Sequence, residues 1–207
     1  MEGMLKVVKY IFLFMLLSMQ YSCRRSMAMP QYVQYVNSAD AGLKKSSVVD
    51  GFEFDVQYKP HEYIVLLENS GKVTRDAMTK RLVELKGTAW FNIAIKRVDN
   101  QKTPLRYGIS SLEEYNARLN YFLTEAQGDI WLVYGRDTIR PQSYLFENNY
   151  NLTPQETMVV GFALPGGDDH PKKQMQLSYN DRVFKTGIIK ANFSETSLKH
   201  IPILKEY

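Results

Sequence analysis

The sequence predicts an α+β fold, a mostly antiparallel sheet with two or three helices inserted in its N-terminal half. Three observations carry this expectation. Apolar and polar residues alternate strictly over short segments, most clearly at 52–58 and 88–98. Segments with helical apolar spacing lie beside and between those strands, all before Gly128. After Gly128, strand-like runs follow one another at short intervals, divided by turn residues, as in a β-meander. Helices segregated from an antiparallel sheet define the α+β class.

Taken in order, residues 31–36 alternate like a short strand. In Phe52-Glu53-Phe54-Asp55-Val56-Gln57-Tyr58 the period of two puts every apolar side chain on one face. Pro60 then opens a compact apolar segment, 61–68, closed by Asn69-Ser70-Gly71; proline at the start and glycine past the end predict a short helix. Residues 74–86 form a second helix, with Met78, Leu82 and Leu85 on one side and Gly87 as its stop. In the strand 88–98, Phe91, Ile93 and Ile95 share one face and Asn92 and Lys96 the other. Ser110 with Glu113 reads as a capping box. Leu112, Tyr115, Leu119, Phe122 and Ala126 then recur at helical spacing, and this stripe is expected to pack on the Phe91–Ile93–Ile95 face. Strands are expected at 130–134, 142–147, 157–163, 173–179 and 187–193.

The start of the chain bears on location. Lys6 and Lys9 precede an apolar run from Ile11 to Leu17, and Ser22 precedes Cys23, the single cysteine among 207 residues. This is the layout of a secretory leader, residues 1–22; a small residue before a lone cysteine resembles a bacterial lipoprotein signal, which implies that Cys23 is lipidated and becomes the new N-terminus. The alternative is an ordinary leader cleaved near Ala28, after Ser26-Met27. The apolar run is too short to cross roughly 30 Å of hydrocarbon. Residues 23–31 then read as a lipidated N-terminus and short tether, and 32–207 as one domain. The leader resembles those of Bacteroidota lipoproteins, whose surface-export signals are acidic beside the cysteine; with Arg24 and Arg25 there instead, the resemblance implies a domain facing the periplasm from the outer membrane.

Without the leader the chain keeps 24 basic and 21 acidic side chains, dispersed along its length. A net charge of +3 without a basic cluster gives no footprint for nucleic acid. A lone cysteine excludes an intrachain disulfide and a thiolate zinc cluster.

Candidate chemistry is sparse. No Gly-x-Ser-x-Gly elbow and no phosphate-cradling glycine loop occur, and His61, His170 and His200 lie far apart in the chain. His61-Glu62 begins a zinc-protease motif, but the second histidine is replaced by Val65. Asp168-Asp169-His170, after Gly166-Gly167, is the densest set of potential metal ligands, and it lacks the spacing of a calcium loop; a solvated turn between strands is the expectation. No cofactor is expected. Tyr134, Tyr144, Phe146 and Tyr150 could form a platform for sugar rings, although cross-strand packing is the commoner use of such residues.

The leader ending at Cys23, the stretch Phe52-Glu53-Phe54-Asp55-Val56-Gln57-Tyr58-Lys59-Pro60-His61-Glu62-Tyr63, and the tail from Phe193 through Leu198 to Ile201-Pro202-Ile203-Leu204 resemble small Bacteroidota lipoproteins. Asp137-Thr138-Ile139 resembles the Asp-Ser/Thr-aliphatic site at which such bacteria glycosylate exported proteins, which would place a glycan on Thr138. The group has no assigned activity, so the resemblance implies an envelope location and no catalytic residue. The expectation is a lipid-anchored envelope protein that binds or assembles with another envelope protein. The alternative is a glycan-binding protein or hydrolase using carboxylates and tyrosines in a cleft.

Overall fold

The computed structural model of the chain describes residues 25–148, 152–167 and 170–205. In chain order the elements are β1 (Ser26–Met27), α1 (Met29–Asn37), β2 (Lys44–Val49), β3 (Phe52–Lys59), α2 (His61–Glu68), α3 (Arg75–Leu85), β4 (Thr88–Arg97), α4 (Leu112–Asn120), β5 (Ile130–Tyr134), β6 (Asp137–Ile139), β7 (Ser143–Glu147), β8 (Gln155–Ala163), β9 (Met175–Asp181), β10 (Gly187–Phe193), α5 (Glu195–Lys199) and β11 (Ile203–Leu204). The class is α+β, with mostly antiparallel pairing.

The strands form two principal antiparallel sheets. The first has the order β2–β3–β4–β8–β7 and the second β10–β9–β5–β6. They stack face to face. Phe91 meets Phe193 with ring centroids 5.5 Å apart, and Phe54 approaches Tyr179 at 6.5 Å. The alternation seen in the sequence explains which side chains enter this core. Phe52, Phe54, Val56 and Tyr58 of β3 and Ala89, Phe91, Ile93 and Ile95 of β4 are all buried. Ile130, Leu132 and Tyr134 of β5 and Met175, Leu177 and Tyr179 of β9 close the core from the other sheet. A short parallel pair, β1 with β11, ties the start of the described chain to its end.

Several expectations change. Residues 31–36 are helical, within α1, because Tyr32 and Val36 lie four apart and are both fully buried, and Pro30 occupies the first turn. Ser26-Met27 and the beginning of α1 therefore belong to the fold, inside the segment read as a tether. The capping box of α4 is one residue later than expected. Ser111 accepts from the Glu114 N–H at 3.1 Å, and the Glu114 carboxylate reaches back to the Ser110 N–H at 2.8 Å. The helical stripe is also cut short. Leu112 is exposed, and Tyr121–Glu125 is a π-turn that swings Phe122 into the core, where it stacks on Phe146 at 5.2 Å. The inner face of β4 packs on the second sheet, through the Phe91–Phe193 contact, in place of the α4 stripe. Finally, the run of strands after Gly128 does not stay in one sheet. β7 and β8 complete the first sheet, while β5, β6, β9 and β10 build the second.

The strand β2 was not anticipated. It pairs with β3 across a two-residue turn, Asp50-Gly51, in which both residues have positive φ, 49° and 77°. That is the type I′ geometry, whose twist matches the strands it joins.

Candidate functional site

The outer face of the first sheet carries a groove. Opposed residues in an antiparallel pair share a face. Register places Lys59 opposite Trp90, Trp90 opposite Gly161, Asn92 opposite Val159, and Val159 opposite Leu145. All of these point away from the Phe91–Ile93–Ile95 core. The helices α2 and α3 lie along this face and wall off a groove of about 340 Å³, contributing Ile64, Leu67, Glu68, Arg81 and Leu85.

Trp90 forms the floor. A Cβ built on Gly161 would lie 2.9–3.0 Å from three atoms of the indole benzo ring. Three near-equal distances mean that the ring lies flat on the Gly161 backbone, with its opposite face towards the groove. Only glycine permits this approach. The indole N–H donates to Thr88 Oγ1 at 2.8 Å, so the ring is held at its edge as well. Leu145 and Leu67 stand beside it, 59% and 49% exposed.

The polar groups are few and defined. The Asn92 amide lines the groove, and its Oδ1 is buried with no hydrogen-bond partner among the described residues. Lys59 is half-buried; burial lowers its pKa and the Glu147 carboxylate opposes that shift. Arg81 clamps Glu68 with two bonds, 2.9 and 2.8 Å, and Glu84 with a third at 2.9 Å. The Glu68 bonds fasten α3 to α2, and together with the Glu84 bond within α3 they hold the guanidinium pKa above its ordinary value.

A second cleft, about 410 Å³, opens on the other side of the α2–α3 pair and brings together two histidines that the sequence separates. His61 and His170 have ring centroids 5.7 Å apart, and His170 Nε2 lies 3.6 Å from Glu62 Oε1. His61 is buried, and its Nε2 donates to the Thr88 carbonyl at 2.9 Å. Tyr32 donates to the other Glu62 oxygen at 3.5 Å; burial, and then the Glu62 charge, raise the pKa of that phenol. Thr88 thus touches both sites, through its hydroxyl to Trp90 and its carbonyl to His61. Among the described residues no group of three or more His, Cys, Asp or Glu side chains is arranged to hold a metal ion. Asp168 and Asp169 lie outside the described residues. His200 does not line this cleft; it is exposed just past α5, with its Nδ1 bonded to the Thr196 carbonyl at 2.7 Å.

The remaining sequence candidates fall as follows. Cys23 and Tyr150 lie outside the described residues. Thr138 is exposed on β6, an edge strand of the second sheet. Tyr134 and Phe146 are buried, and Tyr144 donates its hydroxyl to the Phe122 carbonyl, so these aromatics pack the core and its margin. An aromatic that does line a groove is Trp90, which sequence reasoning passed over. Its signal was a tryptophan on the polar face of an alternating strand. Among the described residues no helix is long and apolar enough to cross a membrane. No protein-family model, no curated protein and no solved structure matches the chain.

Proposed function

We propose that this chain is a lipid-anchored cell-envelope protein that acts by binding, without catalysis, through the Trp90 groove. The observation that carries the binding role is the indole laid flat on Gly161 and lining a mostly apolar groove. Ligand sites combine such apolar walls with a few placed polar groups. Anchoring rests on the leader and on Cys23, a lone cysteine preceded by a small residue. The hydrolase alternative has less support, because among the described residues Tyr134 is buried in the core and Tyr144 is bonded to a backbone carbonyl.

Both halves are testable in cells. Wild-type protein should incorporate a fatty-acid analogue and sediment with membranes, and Cys23→Ser should do neither; equal labelling of both would remove the anchor. Leu145→Asp and Trp90→Ala should leave export and labelling unchanged while abolishing ligand capture. Capture that survives both substitutions would remove the groove.

A further inference from the structure

We propose that the occupant of the groove is a neutral pyranose sugar, stacked on the open face of Trp90 and hydrogen-bonded at its edges by Asn92, Glu147 and Lys59. The inference rests on the groove being the binding site and adds the chemistry of what fills it.

Four features point to a sugar. The face of an indole is electron-rich, and it attracts the polarised C–H groups that an all-equatorial pyranose presents together on one side. The charged groups of the groove cancel, with Lys59 and Arg81 against Glu68 and Glu147, so neither an anion nor a cation is favoured. The groove lining also supplies an amide, an ammonium and a carboxylate. A sugar hydroxyl both donates and accepts, so it satisfies any of the three, and rotating the Asn92 amide offers it either Oδ1 or Nδ2. A purely aliphatic occupant would instead desolvate all three groups and pair none of them. The groove also falls at the small end of the roughly 300–1,000 Å³ typical of ligand sites, and the Arg81–Glu68 clamp fixes its rim before anything binds.

The test uses the full chain carrying Trp131→Phe, which leaves Trp90 as its only tryptophan. Cellotriose and triacetylchitotriose, both neutral and β-linked with equatorial substituents, are titrated while Trp90 emission is recorded. The expected result is a saturable change with at least one of them. Affinity should fall tenfold or more in Asn92→Leu, and several-fold in Glu147→Gln, an exposed position where folding is not at stake. No response to either saccharide at 50 mM, or binding unchanged in both variants, overturns the proposal. An anionic apolar dye, 8-anilinonaphthalene-1-sulfonate, separates the two levels of the account. If the dye alone perturbs Trp90, the groove stands and the sugar assignment falls. If dye and saccharides are both inert, the groove reading falls with it.

Discussion

The indole of Trp90 lies directly on Gly161, its cross-strand neighbour in the first sheet. The contact joins sequence to function in one step. A glycine in a central strand weakens the sheet unless something needs the space above it. Here the space is taken by an aromatic ring that covers the bare backbone on one side and floors the groove on the other.

Gly161→Ala tests this seat. The added methyl would sit 2.9 Å from the ring, so the indole must lift. The variant should lose about 1 kcal/mol of stability by overpacking. In the Trp131→Phe background its emission should shift to the red as the ring gains solvent. Unchanged emission would mean that the ring does not rest on Gly161.

Glu156 should make stability depend on pH. It is 1% exposed on the inner face of β8. Burial is the largest influence and pushes its carboxyl from 4.5 up to about 7, against the opposing Thr103 hydroxyl and Leu105 N–H. Between those values the folded chain keeps a proton that the unfolded chain has released. The stabilisation is therefore fully present below pH 4.5 and is lost as pH rises towards about 7, by up to about 3 kcal/mol. Glu156→Gln should flatten that slope in denaturant melts at successive pH values. Parallel slopes for the two proteins would acquit Glu156.

Core truncations should rank by burial. Phe122 is fully buried and stacked on Phe146, so Phe122→Ala should cost about 3–5 kcal/mol. Leu119 is only partly buried, and its truncation should cost roughly 1–2 kcal/mol. His170→Ala should barely move the melting temperature. Calorimetry on the three variants checks the order, and a Leu119 effect exceeding that of Phe122 would contradict the packing described.

Much of the fold was legible because burial on one face imposes a period. β3 and β4 show it cleanly, since each buries alternate large side chains between the sheets. β2 escaped because none of its residues is fully buried, although Asp50-Gly51 marked its turn. α1 was misread because Tyr32, Val33, Tyr35 and Val36 can pass for either period when the window is only six residues long. The groove was not legible at all. Each strand lends it one or two outward apolar residues, Trp90, Val159 or Leu145, which look incidental in isolation. Only pairing register aligns them, and register between strands as distant in sequence as β4 and β8 is a tertiary fact. The meeting of His61 with His170 was hidden for the same reason.

The most direct test of the binding account is the amide and indole N–H spectrum of the isotope-labelled protein with and without cellotriose or triacetylchitotriose. The account predicts that the Trp90 indole resonance shifts, together with the amides of Asn92, Leu145 and Val159, while those of His61 and His170 stay in place. Shifts centred on His61, Glu62 and His170, or none anywhere in the spectrum, would contradict it.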